Sequence, residues 1–250
     1  MSKAPLAVLA AVCTAALIWW AVPGSAKDEP ESRAEFSVAG DGELPTSRPD
    51  TRDARDPLST DEVGYAISVA TRDPDLPAGA MDVRGEPGWE VLSVDVPDDE
   101  VDDGGRRAVV TLYDYAGDST QVQIVDLSRG RVVKSHAATR LQRPPSVNET
   151  QAAVSIALAA DPPLAFTADF EASEGVPLVS PEQITSVAGV WTHESADHHG
   201  HDQGADNGQE CGQQRCVRLI VATPSGRYLG TTDFVVNLSH RSVVRLTEEH

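Results

Sequence analysis

No block of basic residues occurs anywhere in these 250 residues, and 39 Asp and Glu against 20 Lys and Arg leave a formal net charge of −19. A phosphate backbone or an anionic bilayer surface repels such a chain, which excludes nucleic acid and lipid-surface binding as expected roles. Lysine is scarce at three of the twenty cations, while Ala, Asp, Arg and Val abound, a bias that points to a GC-rich bacterial genome. Aromatic residues make up only 5% of the chain, and Trp89, Tyr113, Tyr115, Trp191 and Tyr228 fall in strand-like stretches, where they are read as sheet packing. There is no glycine-rich phosphate cradle and no G-x-S-x-G nucleophile context around Ser128, Ser239 or His240. Cysteine is limited to three residues, one of them (Cys13) inside the apolar N-terminal run, which leaves Cys211 and Cys216 for the body of the protein.

That N-terminal run extends from Leu6 to Val22, behind a single cation at Lys3 and ahead of Pro23-Gly24-Ser25-Ala26. The arrangement is that of a secretory signal over residues 1–26, with cleavage expected after Ala26 and an extracytoplasmic destination. Left uncleaved, the same run is nearly long enough to anchor the chain in a membrane, and that alternative stays open. Val12 is a poor match to the small residue that a lipoprotein signal wants before Cys13, and no Arg pair precedes the run. Residues 27–56 are rich in Asp, Glu, Arg, Ser, Pro and Gly, with too few large apolar side chains to offset chain entropy, and are expected to form an unstructured acidic tether.

Order is expected from Pro57. Ser59-Thr60-Asp61-Glu62 is a capping box, and Val63, Ala66, Ile67 and Ala70 follow on one helical face up to Asp73-Pro74. Strand patterns come next at Trp89–Val96 and Ala108–Tyr113, then a hairpin over Val122–Val133 that turns on Asp126-Leu127-Ser128. The acidic stretch Asp98, Asp99, Glu100, Asp102 and Asp103 lies between strands and lacks an ordered calcium-loop pattern. A second capping box, Ser146-Val147-Asn148-Glu149, starts a helix with Val147, Val154 and Leu158 on one stripe, ended by Asp161-Pro162. Strands follow at Val187–Trp191 and Cys216–Ala222, and a closing hairpin at Phe234–Val244 turns on Asn237-Leu238-Ser239.

The two helix starts are 87 residues apart and the two hairpin turns 111, so one supersecondary unit occurs twice and the second copy is 24 residues longer. The excess falls on the polar insertion 192–214. The predicted fold is therefore α+β: two tandem units, 57–142 and 143–250, each one helix packed on an antiparallel sheet of about four strands.

The insertion holds the chemistry. His193, His198, His199 and His201 are four of the seven histidines and lie beside Glu194, Asp197, Asp202 and Asp206. Imidazole suits copper, zinc and nickel, and carboxylates add charge and ligands, so these four histidines are the candidate metal ligands. The competing reading is a solvated low-complexity loop. Cys211 and Cys216 are read first as a disulfide closing the base of the insertion, with thiolate ligation as the alternative.

The segments Asp56-Pro57-Leu58-Ser59-Thr60-Asp61-Glu62-Val63, RRAVVTLYDY from Arg106, VDLSRGRVV from Val125 and Pro144 to Glu149 together resemble the paired small N-terminal domains, N2 and N3, of copper-containing amine oxidases. The resemblance runs from about Asp56 to Leu246 and implies cystatin-like units, each a helix on a short antiparallel sheet. It also tilts the metal toward copper. The family's catalytic β-sandwich has no counterpart in these residues. Its cofactor tyrosine sits in an Asn-Tyr-Asp/Glu context, whereas Leu112-Tyr113-Asp114 lacks the Asn. His199-Gly200-His201 matches the family's His-x-His copper ligands only superficially, with no third ligand in view. No catalytic residue is carried over, and the expectation is an exported non-catalytic protein that binds a metal ion. The alternatives are an interaction module for an extracytoplasmic protein and an accessory or truncated amine oxidase relative.

Overall fold

The computed structural model describes residues 44–97, 105–193 and 208–246, all within one compact unit. The apolar N-terminal run and the acidic residues 98–103 lie outside the described residues. So do His198, His199 and His201 with their neighbouring acids. Among the described residues no helix is long and apolar enough to cross a membrane.

Helix α1, Thr60–Thr71, starts where the capping box places it. The Glu62 amide donates to Ser59 Oγ at 3.2 Å, and the Ser59 amide donates to Glu62 Oε2 at 2.8 Å. Its buried face of Tyr65, Ala66 and Ala70 packs on one side of a sheet of β1 (Glu90–Asp95), β2 (Arg107–Asp114), β3 (Ser119–Asp126) and β4 (Arg131–Ala138). These strands form an antiparallel meander in sequence order. The period of two divides β2 between two environments. Ala108, Val110 and Leu112 meet α1, whereas Tyr113 belongs to a second and larger core.

Helix α2, Val147–Leu158, repeats the cap: the Glu149 amide donates to Ser146 Oγ at 3.0 Å, and the Ser146 amide donates to Glu149 Oε2 at 2.7 Å. A second meander follows as β5 (Thr185–Val190), β6 (Cys216–Ala222), β7 (Phe234–Asn237) and β8 (Ser242–Arg245). The α+β fold with two four-stranded antiparallel sheets is thus present, with one departure. A further helix, α3, Ala165–Glu174, stands between α2 and β5, so the second unit carries two helices rather than one. Phe166 and Phe170 fix α3 to the core, and Gly175 ends it in the left-handed conformation at φ 73°.

The larger core joins the halves. Leu92, Tyr113 and Tyr115 from the first sheet pack in one cluster with Val154 and Ala157 of α2, Phe166 of α3, and Leu219 and Phe234 of the second sheet. The other face of the second sheet carries a small cluster of Trp191, Cys211, Cys216 and Val235. Both hairpin turns place a residue of positive φ at the same point. Gly130, at φ 64°, lies against the Tyr65 hydroxyl with no room for a Cβ. Arg241 holds the corresponding position at φ 52° and donates from Nη1 to Val83 O.

Candidate functional site

The histidine insertion leaves the sheet immediately after β5. The Trp191 amide donates to Cys216 O at 3.0 Å, and the His193 amide donates to Cys211 O at 3.1 Å, so the outgoing chain is fastened to the returning one. Cys211 and Cys216 are joined in a disulfide with a Cα–Cα distance of 5.4 Å, which removes both sulfurs from the list of thiolate ligands. The loop it closes is a tight turn, with the Gln214 amide donating to Glu210 O at 2.8 Å. At the returning end, Gly208 adopts φ 93° against the Trp191 ring, where a Cβ would stand 2.9 Å from the indole. A buried Trp, a disulfide and a glycine therefore hold both ends of the insertion at one place.

Of the predicted ligands the structure positions His193, half-buried at this base; the other three lie outside the described residues. The base also has a histidine that the sequence reading did not select. His240, in the β7–β8 turn, has Nδ1 3.4 Å from Glu210 Oε2 and Nε2 3.1 Å from Gln214 Nε2. Because the Gln214 Oε1 accepts from Asn237 Nδ2 at 2.6 Å, its amide nitrogen faces the ring. That assigns the Nδ1–H to the Glu210 side, with the Nε2 lone pair accepting from the Gln214 amide. Among the described residues, no group of three or more His, Cys, Asp or Glu is placed to hold a metal ion.

The strongest electrostatics lie elsewhere, in two buried Glu–Arg pairs built on the capping boxes. Arg106 Nε donates to Glu62 Oε1 at 2.7 Å and Nη2 to Oε2 at 2.9 Å, with the two side chains 3% and 0% exposed. The same guanidinium collects the carbonyls of Asp53, Ala54, Asp56 and Pro57, and the Arg52 amide donates to Glu62 Oε1. Residues 52–56, read from composition as the end of the tether, are thus tied to α1. Arg215 treats Glu149 in the same way, with Nε on Oε1 and Nη2 on Oε2 at 2.8 Å, and adds the carbonyls of Arg143 and Pro144. Each arginine stands just before a central strand and supplies the carbonyl that receives the amide of Leu127 or Leu238. One residue therefore locks helix cap, preceding chain and hairpin turn together. The hydrogen bond from Arg106 holds the Glu62 carboxyl down at about 2, against the opposing effect of its own burial.

The second pair is also a junction between the sheets. Tyr115 donates its hydroxyl to Glu149 Oε1, and the Arg215 guanidinium sits 5.6 Å from the Tyr113 ring centre. Burial, reinforced by the charge of Glu149, pushes the Tyr115 hydroxyl far above its usual range. Ser146 Oγ donates to Glu90 Oε1 at 2.9 Å. Burial first, and then the charge of Glu149, push the Glu90 carboxyl up to about 7 from an ordinary 4.5. Two buried carboxyls thus lie close together here, and the Arg215 guanidinium bonds only that of Glu149. A carboxyl titrating near neutrality is also what general acid–base chemistry uses. Here Glu90 is 3% exposed and Glu149 and Arg215 are fully buried, and the cluster fastens α2 to the first sheet. Its sequence signal was available: Arg106 and Arg215 precede equivalent strands 109 residues apart, close to the hairpin spacing.

No protein-family model matches the chain, and no curated protein matches it. Among solved structures it is similar to a copper-containing benzylamine oxidase from Hansenula polymorpha, at 14% identity and a TM-score of 0.39. The match covers 78% of this chain, which spans 30% of the length of that enzyme.

Proposed function

We propose that this chain is an exported, non-catalytic protein that captures a transition-metal ion, copper or zinc, through its histidine insertion. The observation that carries the reading is the clamped base: the Cys211–Cys216 disulfide, the Trp191 packing and the His193–Cys211 hydrogen bond bring both ends of a histidine- and acid-rich segment to one point. Closing the segment at its base lowers the entropy lost when its imidazoles gather on a metal. The carboxylates of the segment and the −19 chain supply a field that draws cations in. A disulfide suits an oxidising compartment outside the cytoplasm. The metal's chemistry in this reading is binding, with imidazole nitrogens as ligands.

The test is titration of the chain with Cu(II) and with Zn(II), beside a variant in which His193, His198, His199 and His201 are all changed to Ala. Stoichiometric binding that disappears in the variant supports metal capture. Binding that is absent, or equal in the two proteins, removes it. Release of hydrogen peroxide on addition of an amine to the metal-loaded chain would overturn the non-catalytic part.

A further inference from the structure

We propose that the groove between α2 and β8 receives an extended acidic peptide of a partner protein, which adds to the free edge of β8 and sets carboxylates against Arg241 and Arg245. The groove has a volume of about 400 Å³. Ile156, Ala159 and Asp161, in and after the last turn of α2, form one wall, and Arg241, Val243 and Arg245 form the other. β8 is an outer strand of its sheet, paired only to β7. The Leu246 amide donates to Asp233 O in the same register, so Ser242 and Val244 are the residues of β8 that exchange hydrogen bonds with β7. Val243 and Arg245 therefore turn their amides and carbonyls to the open edge, where no partner exists for them among the described residues.

Charge and spacing select the occupant. Each guanidinium is held by a carbonyl, Arg241 by Val83 O and Arg245 by Pro162 O, and neither meets a carboxylate among the described residues. Arg106 and Arg215, by contrast, have their carboxylates built in. Two full charges exceed Asp161 and the partial negative charge at the end of α2 together, so the groove is positive in a chain of −19. The two arginines stand four residues apart along one strand, roughly 13 Å, which one small anion does not span. Side chains opposite them on an added strand are also four apart. The fitting sequence is thus acidic-x-apolar-x-acidic, with the apolar residue opposite Val243. Main-chain hydrogen bonds to the edge supply affinity, and the two carboxylates supply selection. Arg241 holds φ 52° where the first hairpin has Gly130, so the second copy keeps a cationic side chain at a position that favours glycine.

The experiment is fluorescence anisotropy of a labelled peptide, Thr-Glu-Thr-Val-Thr-Glu-Thr, titrated with the chain at low salt and with chelator present. Two companion peptides replace both Glu by Gln, or carry an N-methyl group on the central Val, the residue that faces Val243. Two protein variants, Arg245→Gln and Ala159→Glu, change exposed positions of the groove, and circular dichroism verifies their fold. The expected result is saturable binding of the Glu peptide, weakened about tenfold or more by each of the four changes. A chain that does not bind this peptide overturns the proposal. So does equal binding of the Gln peptide, or an affinity unchanged in both variants. Undiminished binding of the N-methyl peptide overturns it as well, because carboxylates held by charge alone need no strand edge.

Discussion

Glu149 and Arg215 tie the start of α2 and the chain before it to the first sheet, through Tyr115 and the Tyr113 ring. Removing one partner strands the other charge in a fully buried site. Arg215→Met is expected to cost about 3–5 kcal/mol, read by denaturant unfolding, and Glu149→Gln somewhat less because the cap can still accept. Glu90 sets the pH response of the same junction. Its carboxyl is near 7 in the folded chain against 4.5 as the ordinary value, so the folded state binds the extra proton across that interval. Stability is therefore full below about pH 4.5 in this respect and falls by up to about 3 kcal/mol as pH rises through 7. Glu90→Gln should flatten the unfolding free energy between those limits; an unchanged slope would show that another group titrates. Glu62 works in the opposite sense. Held at about 2, it contributes stability above its unfolded value that is lost only as pH falls through 2.

At the level of elements, the two capped helices were legible because a capping box is a local event: four consecutive residues bring the partners together. The strands were legible from alternation at Trp89–Val96 and the hairpins, and from a more continuous apolar run at Ala108–Tyr113. What the capping residues could not disclose is that Glu62 and Glu149 also serve Arg106 and Arg215, since those partners lie 44 and 66 residues away. Helix α3 stayed hidden for a different reason. Leu164 at its N-cap makes no side-chain cap, and Asp161-Pro162-Pro163 reads as a stop with nothing polar to announce a restart. Its only sequence signal is the pair Phe166 and Phe170, one helical turn apart. Phe166→Ala, which empties a fully buried site, is expected to destabilise the protein by about 3–5 kcal/mol in thermal or chemical unfolding.

On the scale of the whole molecule, the described residues form two sheets fastened by one buried ionic junction and one apolar core, and the two ends of the insertion meet beside Trp191 on the other face of the second sheet. The cysteine pairing was read correctly from the sequence, and β5 and β6 flank the insertion. The parts that Trp191, Gly208 and His240 play at its base were not, because they are brought there only by sheet pairing and the β7–β8 turn. The disulfide closes a loop with a sequence separation of only 5, so breaking it with Cys211→Ser and Cys216→Ser should cost about 2 kcal/mol of stability by loop entropy. The larger expected consequence is weaker metal capture, since Cys211, which accepts from the His193 amide, is then no longer fixed to Cys216, although the β5–β6 ladder still holds the strands together.

The most direct measurement is calorimetric titration of Cu(II) and Zn(II) into three proteins side by side: the parent, the four-histidine variant and the double cysteine variant. The account predicts one metal ion per chain for the parent, no stoichiometric binding for the histidine variant, and the same stoichiometry with reduced affinity when the base is unclamped. Equal isotherms for the parent and the histidine variant would contradict it, and the insertion would then hold no metal site.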